Sequence, residues 1–246
     1  MTERLATVGL QYSVYALEAT LVCFLIGRGH FKRLTGLSLY LGGLLVIDAV
    51  LRPIVLYRFG LNSPQYAYVY WPSDAFLELT AFGLVCALFR RACAHQEKLW
   101  EVVKLVLGFV FVLVLGISLF ALSSHQSQLL TRFIIEFEQN LYFTCMVLNT
   151  LLYLLLQQTN SVDEELGLLV CGLGIQFAGP AASYALLYLT PGWGYATLVN
   201  NTIGQLCTMG MLLTWFYAVA RVTQAAPSLA TTPTALNAVE ASAHDS

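Results

Sequence analysis

Residues 71–91 read WPSDAFLELTAFGLVCALFRR, and this stretch decides the fold. It opens with an aromatic residue and a proline, which suits the first helical position because the missing N–H has no intrahelical partner there. The apolar run that follows is about 18 residues long, near the ~20 that a helix needs to cross a bilayer. Asp74 and Glu78 lie one turn apart within it. The sequence therefore predicts a membrane-spanning helix that carries two acids.

The composition of the whole chain extends this interpretation. Hydrophobic residues make up 58% of the 246 residues and charged residues only 11%, against about 45–50% and about 25% in soluble domains. The net charge of -2 comes from scattered residues, so the chain has no basic surface of the kind that nucleic acids require. The lipid bilayer is the expected partner, and nucleic acid is excluded.

Seven apolar segments are long enough to span a membrane. They are 8–27, 34–57, 72–89, 105–123, 134–157, 165–188 and 197–220. Long unbroken apolar runs predict helices, because a spanning segment must satisfy its own backbone polar groups. The predicted fold class is therefore an all-α membrane protein, a seven-transmembrane-helix bundle over residues 1–221. Residues 222–246, rich in Ala, Thr, Ser and Pro, predict a disordered cytoplasmic tail because they offer little apolar surface to bury.

The placement of basic residues predicts the orientation. With the N-terminus outside and the C-terminus cytoplasmic, most of the 12 lysine and arginine residues fall on the inner side, as the positive-inside rule favours. Aromatic residues crowd the predicted second and last outer loops, at the depth of the lipid headgroups. The expected location is the cell inner (plasma) membrane, crossed several times.

Polar residues inside the predicted helices supply the candidate site. A charged side chain at the bilayer centre costs at least ~2.5–3.5 kcal/mol, so such residues suggest a function. Helical rise places the charged ones in the outer half of the bundle. If their faces point inward, they form a polar pocket for a small ligand or ion that enters from the outer side. The candidates are Glu78, Asp48, Arg52, Glu18, Asp74, Gln176, Asn201, Gln205 and Glu138.

Structural explanations stand beside this hypothesis. Asp48 and Arg52 are spaced to form a local ion pair, which would lower the cost of burying both. Glu138 follows a predicted outer helix start, where acids are favoured, and Asn or Gln side chains often join membrane helices by hydrogen bonds. Asp74 is explained by helix-start chemistry, whereas Glu78 has no such explanation unless Arg52 pairs with it.

Several familiar chemistries are excluded. The last predicted helix contains no lysine for a retinal Schiff base, and the four histidines lie in loops, at helix ends or in the tail, so no pair could hold haem. The six cysteines lack the paired spacing of zinc sites or disulfides, and no nucleophile or metalloprotease motif is present. We therefore predict no catalytic residue, no metal and no cofactor.

Three short stretches and one acidic residue carry a resemblance to a known family. They are YWPSDA at 70–75, LFRR at 88–91, Glu138, and WFY at 215–217. With them the chain is similar to a group of small bacterial seven-helix integral membrane proteins that have no assigned function. The resemblance implies the topology and a bacterial inner-membrane setting. In that group glutamate usually follows the aromatic anchor and arginines follow the fifth-helix acid, whereas Asp74, Gln139 and Tyr142 stand here.

Three functions follow as hypotheses. The first is a non-enzymatic, receptor-like sensor or small-ligand-binding protein that signals through a membrane or cytoplasmic protein partner. The second is a small transporter or proton-coupled carrier, in which Glu78 and Asp48 relay protons. The third is a scaffold subunit of a membrane complex, whose lipid-facing surfaces pack against other membrane proteins.

Overall fold

A computed structural model describes residues 2–29, 33–60, 63–94, 96–122, 129–158, 163–189 and 196–228. Throughout these ranges the backbone is helical or in short turns, without a strand. The helices are α1 (Thr2–Gly27), α2 (Thr35–Phe59), α3 (Pro64–Ala92), α4 (Glu97–Leu122), α5 (Leu129–Gln158), α6 (Glu164–Leu189) and α7 (Ala196–Ser228). The all-α prediction is confirmed.

Six to seven of these helices are long and apolar enough to cross a membrane. Six meet both criteria over their described residues, and α6, at 26 residues, matches them in length. Leucine side chains dominate the buried core, as expected for helices that pack against one another along one stripe and face lipid with the rest. The chain is therefore a multi-pass membrane protein.

The third helix begins earlier than Pro72, where the sequence analysis placed its first turn. α3 starts at Pro64, and the Ser63 hydroxyl caps it by accepting a hydrogen bond from the Tyr66 N–H over 3.1 Å. Pro72 lies inside the helix. The helix-start explanation of Asp74 is therefore wrong, because Ser63 and Pro64 supply a cap and a first-turn proline more than two turns upstream.

A π-helical segment, Leu45–Leu51, interrupts α2 between α-helical parts at Thr35–Leu44 and Arg52–Phe59. At its end the Arg52 N–H donates to the Ile47 carbonyl, five residues back rather than four. Pro53 follows directly and has no N–H to donate, and its ring crowds the preceding turn. The wider turn accommodates this proline in a continuous helix, and such segments often occur at functional sites.

Small residues bring α6 and α7 close together. A Cβ built on Gly172 would lie 2.6 Å from Trp215 Nε1, and one on Gly179 would lie 2.8 Å from the Cys207 side chain. Trp215 is fully buried, and its Nε1–H donates to the Leu169 carbonyl over 2.9 Å. Close backbone approach through glycine is the common way for membrane helices to associate.

α3 occupies the centre of the bundle. It packs against α2, α4, α5 and α6, while α1 packs against α2 and α7. α4 contacts α3 and α5 and exposes most of its apolar surface. This arrangement brings polar positions of α1, α2, α3 and α5 toward one region.

The predicted tail, 222–246, starts within a helix. α7 continues through Ser228, beyond the predicted end of the last span at 220, and residues 229–246 lie outside the described part of the chain.

Candidate functional site

Arg52 joins two helices at the first part of the site. Its Nη1 donates to Asp48 Oδ1 on α2, and its Nη2 donates to Asp74 Oδ1 on α3, each over 2.6 Å. The guanidinium lies over the Tyr70 ring at 4.5 Å from the centroid. The planar fork of arginine suits two carboxylates at once, and an aromatic face adds to the attraction. This contact therefore fixes α2 against α3.

The local sequence of α2 brings these groups together. Asp48 lies inside the π segment, and Arg52 begins the α-helical turn that contains Pro53. The pair keeps its spacing of four residues, which puts both side chains on the same side of the helix. The ion pair expected between Asp48 and Arg52 is present, but Arg52 turns its second amino group to Asp74 and not to Glu78.

Three further acids surround this contact. Glu138 of α5 lies within electrostatic range of Asp74. Glu78 lies close enough to Asp74 and Glu138 for their charges to interact, and Glu18 of α1 lies equally within range of Asp48. We call this set the Arg52 cluster. Its members are Glu18, Asp48, Arg52, Asp74, Glu78 and Glu138.

Three acids of the Arg52 cluster each have a side-chain oxygen atom without a hydrogen-bond partner. Oε2 of Glu18, of Glu78 and of Glu138 is buried and has no hydrogen-bond partner within the described part of the chain. Glu18 is only 1% exposed. Buried polar atoms in folded proteins normally find partners, so each exception needs an explanation such as a proton, a water molecule or a ligand.

The charge of the Arg52 cluster is unbalanced. One guanidinium stands with five carboxyl groups, and both of its terminal amino groups already bind Asp48 and Asp74. A buried ionised carboxylate without a partner is too costly to persist, so Glu18 and Glu78 must each bind a proton or a cation. The cluster is therefore an acceptor-rich site for positive charge.

Two tyrosines that the sequence analysis did not select adjoin the site. Tyr40 of α2 lies within electrostatic range of Glu18, Asp48 and Glu78, and Tyr15 of α1 lies within range of Glu18, Asp48 and Arg52. Tyr40 is buried and meets Trp215 edge to face at 5.9 Å between ring centroids. Nothing in their sequence context separates these tyrosines from ordinary packing residues.

Three predicted residues have no contact with the Arg52 cluster among the described side chains. Gln176 on α6 and Gln205 on α7 each bury an Oε1 without a partner. Among the described side chains, no hydrogen bond or ion pair joins either glutamine to the Arg52 cluster. Asn201 belongs to the backbone of α7, but its side chain lies outside the described ones.

A second charged cluster lies at the other end of α3. Arg91 donates to both carboxylate oxygens of Asp163 over 3.0 and 3.1 Å and to Glu165 Oε2 over 2.5 Å. Arg33 donates to the same Glu165 oxygen over 2.5 Å. Asp163 also caps α6 by accepting from the Leu166 N–H. These contacts join the α1–α2 connection, the end of α3 and the start of α6.

We call Arg33, Arg91, Asp163 and Glu165 the Arg91 cluster. The Glu165 side chain is almost fully buried, and two arginines satisfy it, so this cluster balances its charge where the Arg52 cluster does not. The sequence signal was present in the Arg90-Arg91 pair and the acids at 163–165. Each of these signals has a local explanation, as a helix end and as a helix cap, and pairing across 72 residues of sequence leaves no local pattern.

The two clusters mark two levels of the bundle. Asp74 and Arg91 are 17 residues apart on α3, which corresponds to about 26 Å of helix and approaches the ~30 Å hydrocarbon thickness of a bilayer. Buried apolar side chains such as Leu77, Leu84 and Leu88 fill the interval. The two clusters therefore lie almost one bilayer thickness apart along α3, and Glu78 lies one turn from Asp74 toward the Arg91 cluster.

Within the described residues, no group of three or more His, Cys, Asp or Glu side chains converges closely enough to hold a metal ion. Comparison of the chain with protein-family models, with curated proteins and with solved structures gave no match. Function is therefore argued from the two clusters and their geometry.

Proposed function

We propose that this chain is a seven-helix integral membrane protein that binds a small ligand at the Arg52 cluster and acts as a sensor or ligand-binding protein rather than an enzyme. The observation that carries the proposal is the set of buried, unpartnered carboxylate oxygens of Glu18, Glu78 and Glu138 beside an arginine whose terminal amino groups are already engaged. The third hypothesis, a scaffold subunit, does not require such unpartnered oxygens.

The depth of the site supports a ligand that enters from one side. Arg52 precedes the end of α2 at Phe59 by seven residues, about 10 Å of helix, so the cluster lies near the α2–α3 connection. In the proposed orientation this connection is outside, and the Arg91 cluster faces the cytoplasm. A bacterial inner membrane is the proposed setting, and a protein partner at the basic inner end is the proposed output.

Ligand-dependent thermal stability tests this function. The purified full chain in lipid nanodiscs is heated with a panel of small cationic, neutral and anionic compounds. A compound that binds only the folded state stabilises it, by about 2.7 kcal/mol at 100 times its Kd, and so raises the midpoint temperature of unfolding. We expect at least one compound to do so, and Glu18→Gln to reduce its effect. If no class of compound shifts the midpoint, the proposal is wrong.

A matched control is available on α5. Glu136 is exposed and lies two residues before Glu138, whose Oε2 is buried without a partner. Glu138→Gln should weaken the shift caused by a ligand, whereas Glu136→Gln should leave it unchanged. Equal effects of both variants would indicate a general charge effect and would contradict a specific site.

A second candidate function is a proton-coupled carrier. The specific observation is the proximity of the carboxyl groups of Asp74, Glu78 and Glu138, which lie within electrostatic range of one another. Carboxyl groups in contact can pass a proton among themselves. In proteoliposomes with an imposed pH gradient, wild-type protein should conduct protons and Glu78→Gln should not. Equal fluxes in both, or no flux above empty vesicles, would exclude this function.

A further inference from the structure

We infer that the ligand of the Arg52 cluster is an organic cation with more than one N–H donor, such as an alkyl diamine or a guanidinium compound. This inference rests on the proposed function and names the chemical class that the site would accept. It depends on the kind of atom left unpartnered, on the charge around those atoms, and on their distribution over the helices.

The unpartnered atoms call for donors on the ligand. Of the four buried, unpartnered atoms in the Arg52 cluster, three are carboxylate oxygens of Glu18, Glu78 and Glu138, and the fourth is Arg52 Nε. Carboxylate oxygens accept hydrogen bonds and gain most from a charged donor. Glu18 is the decisive member because it is 1% exposed, faces Asp48 and still has a free oxygen.

Charge excludes an anionic ligand. An anion could pair only with Arg52, which has a single unpartnered donor, Nε, because its terminal amino groups are bound to Asp48 and Asp74. The same anion would meet the surrounding carboxyl groups. A cation would be attracted to every member of the Arg52 cluster except Arg52 itself. The protein itself already places one guanidinium among these acids and against the Tyr70 ring, which shows that the site accepts this chemistry.

The distribution of the oxygens favours an extended ligand over a metal ion. The three unpartnered oxygens come from α1, α3 and α5, and within the described residues no three acidic side chains converge as a metal would require. Tyr40 lies within electrostatic range of both Glu18 and Glu78. Carboxylates distributed over three helices match an ammonium or guanidinium compound with spaced N–H donors.

Thermal unfolding in nanodiscs with defined probes tests the ligand class. The cationic probes are putrescine, spermidine and guanidinium; tetramethylammonium carries charge without N–H donors; propionamide, succinate and calcium chloride represent neutral, anionic and metal probes. We expect putrescine or a related N–H cation to raise the midpoint, and tetramethylammonium and succinate to leave it unchanged. Isothermal titration of the stabilising probe then gives its Kd.

Variants assign the effect to the cluster. Glu18→Gln and Glu78→Gln each remove one charge-assisted contact, so each should weaken binding by about 10-fold to 100-fold. Glu136→Gln, at an exposed acid, should bind as the wild type does. Two variants are used so that a failure of one to fold does not remove the test.

The outcomes separate this inference from the proposed function. If propionamide, succinate or calcium stabilises the protein through Glu18 while the N–H cations do not, the chain binds a ligand but the inferred class is wrong. If an N–H cation stabilises wild type, Glu18→Gln and Glu78→Gln equally, binding is away from the Arg52 cluster and the inference is overturned. If no probe has an effect, both proposals fail.

Discussion

Replacing Arg52 by methionine is the most direct perturbation of the bundle. Methionine keeps much of the side-chain volume and removes both hydrogen bonds, to Asp48 and to Asp74, each 2.6 Å long. The two carboxylates then lie partly buried without a cation. Removing one partner of a buried ion pair costs about 3–5 kcal/mol, mainly because the other charge is left unpaired. We expect Arg52→Met to lower the free energy of unfolding by that amount.

The assay is reversible unfolding in mixed micelles of mild detergent and dodecyl sulfate, followed by helix content. Arg58 lies on the same helix and is exposed, so Arg58→Met is the matched control and should stay within about 0.5 kcal/mol of wild type. Adding Asp48→Asn and Asp74→Asn to Arg52→Met removes the stranded charges and should recover part of the loss. If Arg52→Met is as stable as Arg58→Met, the pairing does not hold α2 against α3.

Two further predictions use neighbouring pairs of variants. Arg91→Met should destabilise the protein by about 2–4 kcal/mol, since it removes contacts to a nearly buried carboxylate. Arg90→Met, at an exposed position, should change the free energy of unfolding little. Equal values for the two variants would refute the role of the Arg91 cluster. Gly172→Ala should cost about 1–3 kcal/mol because its Cβ would overlap Trp215. Gly167→Ala, with open space around its Cβ, should be neutral or slightly stabilising. If Gly167→Ala were less stable than Gly172→Ala in the same unfolding assay, the packing argument would be wrong.

Most members of the Arg52 cluster were predictable from the free-energy cost of placing a charged side chain inside a membrane helix. Acids inside apolar helices are expensive, so Glu18, Asp48, Glu78 and Glu138 were selected without knowledge of their neighbours. The structure brings these four together with Arg52. Hydropathy and helical rise select such positions within one helix at a time, so they need no knowledge of the neighbouring helices.

The choice of partner was not predictable. Whether Arg52 meets Asp74 or Glu78 depends on the axial rotation and register of α2 against α3, and no pattern within either helix sets that relation. Asp74 was also misjudged because Pro72 resembles a helix start, while the actual start at Pro64 carries the same signal with a serine cap. Two equivalent signals in one helix leave the earlier one easy to overlook.

The partners within the Arg91 cluster were not predictable either, because they come from segments far apart in the sequence. Arg91 and Asp163 each had a sufficient local explanation, as the end of one helix and the cap of another. Tyr40 had an explanation as a packing residue. Long-range contacts of this kind arise only after the helices associate, so local physics alone does not reveal them.

The π segment of α2 has a consequence for insertions and deletions. Tyr40, before the segment, packs on Trp215 of α7, and Arg52, after it, binds Asp74 of α3. Each residue of an α-helix turns the chain by about 100°. The wider π turn takes up one extra residue without changing the relative direction of these two faces. Deleting one residue within Leu45–Leu51 should therefore restore a regular helix and leave both contacts able to form, whereas a deletion between Arg52 and Phe59 finds no extra residue to absorb it. The π segment is thus the one part of α2 that tolerates the loss of a residue.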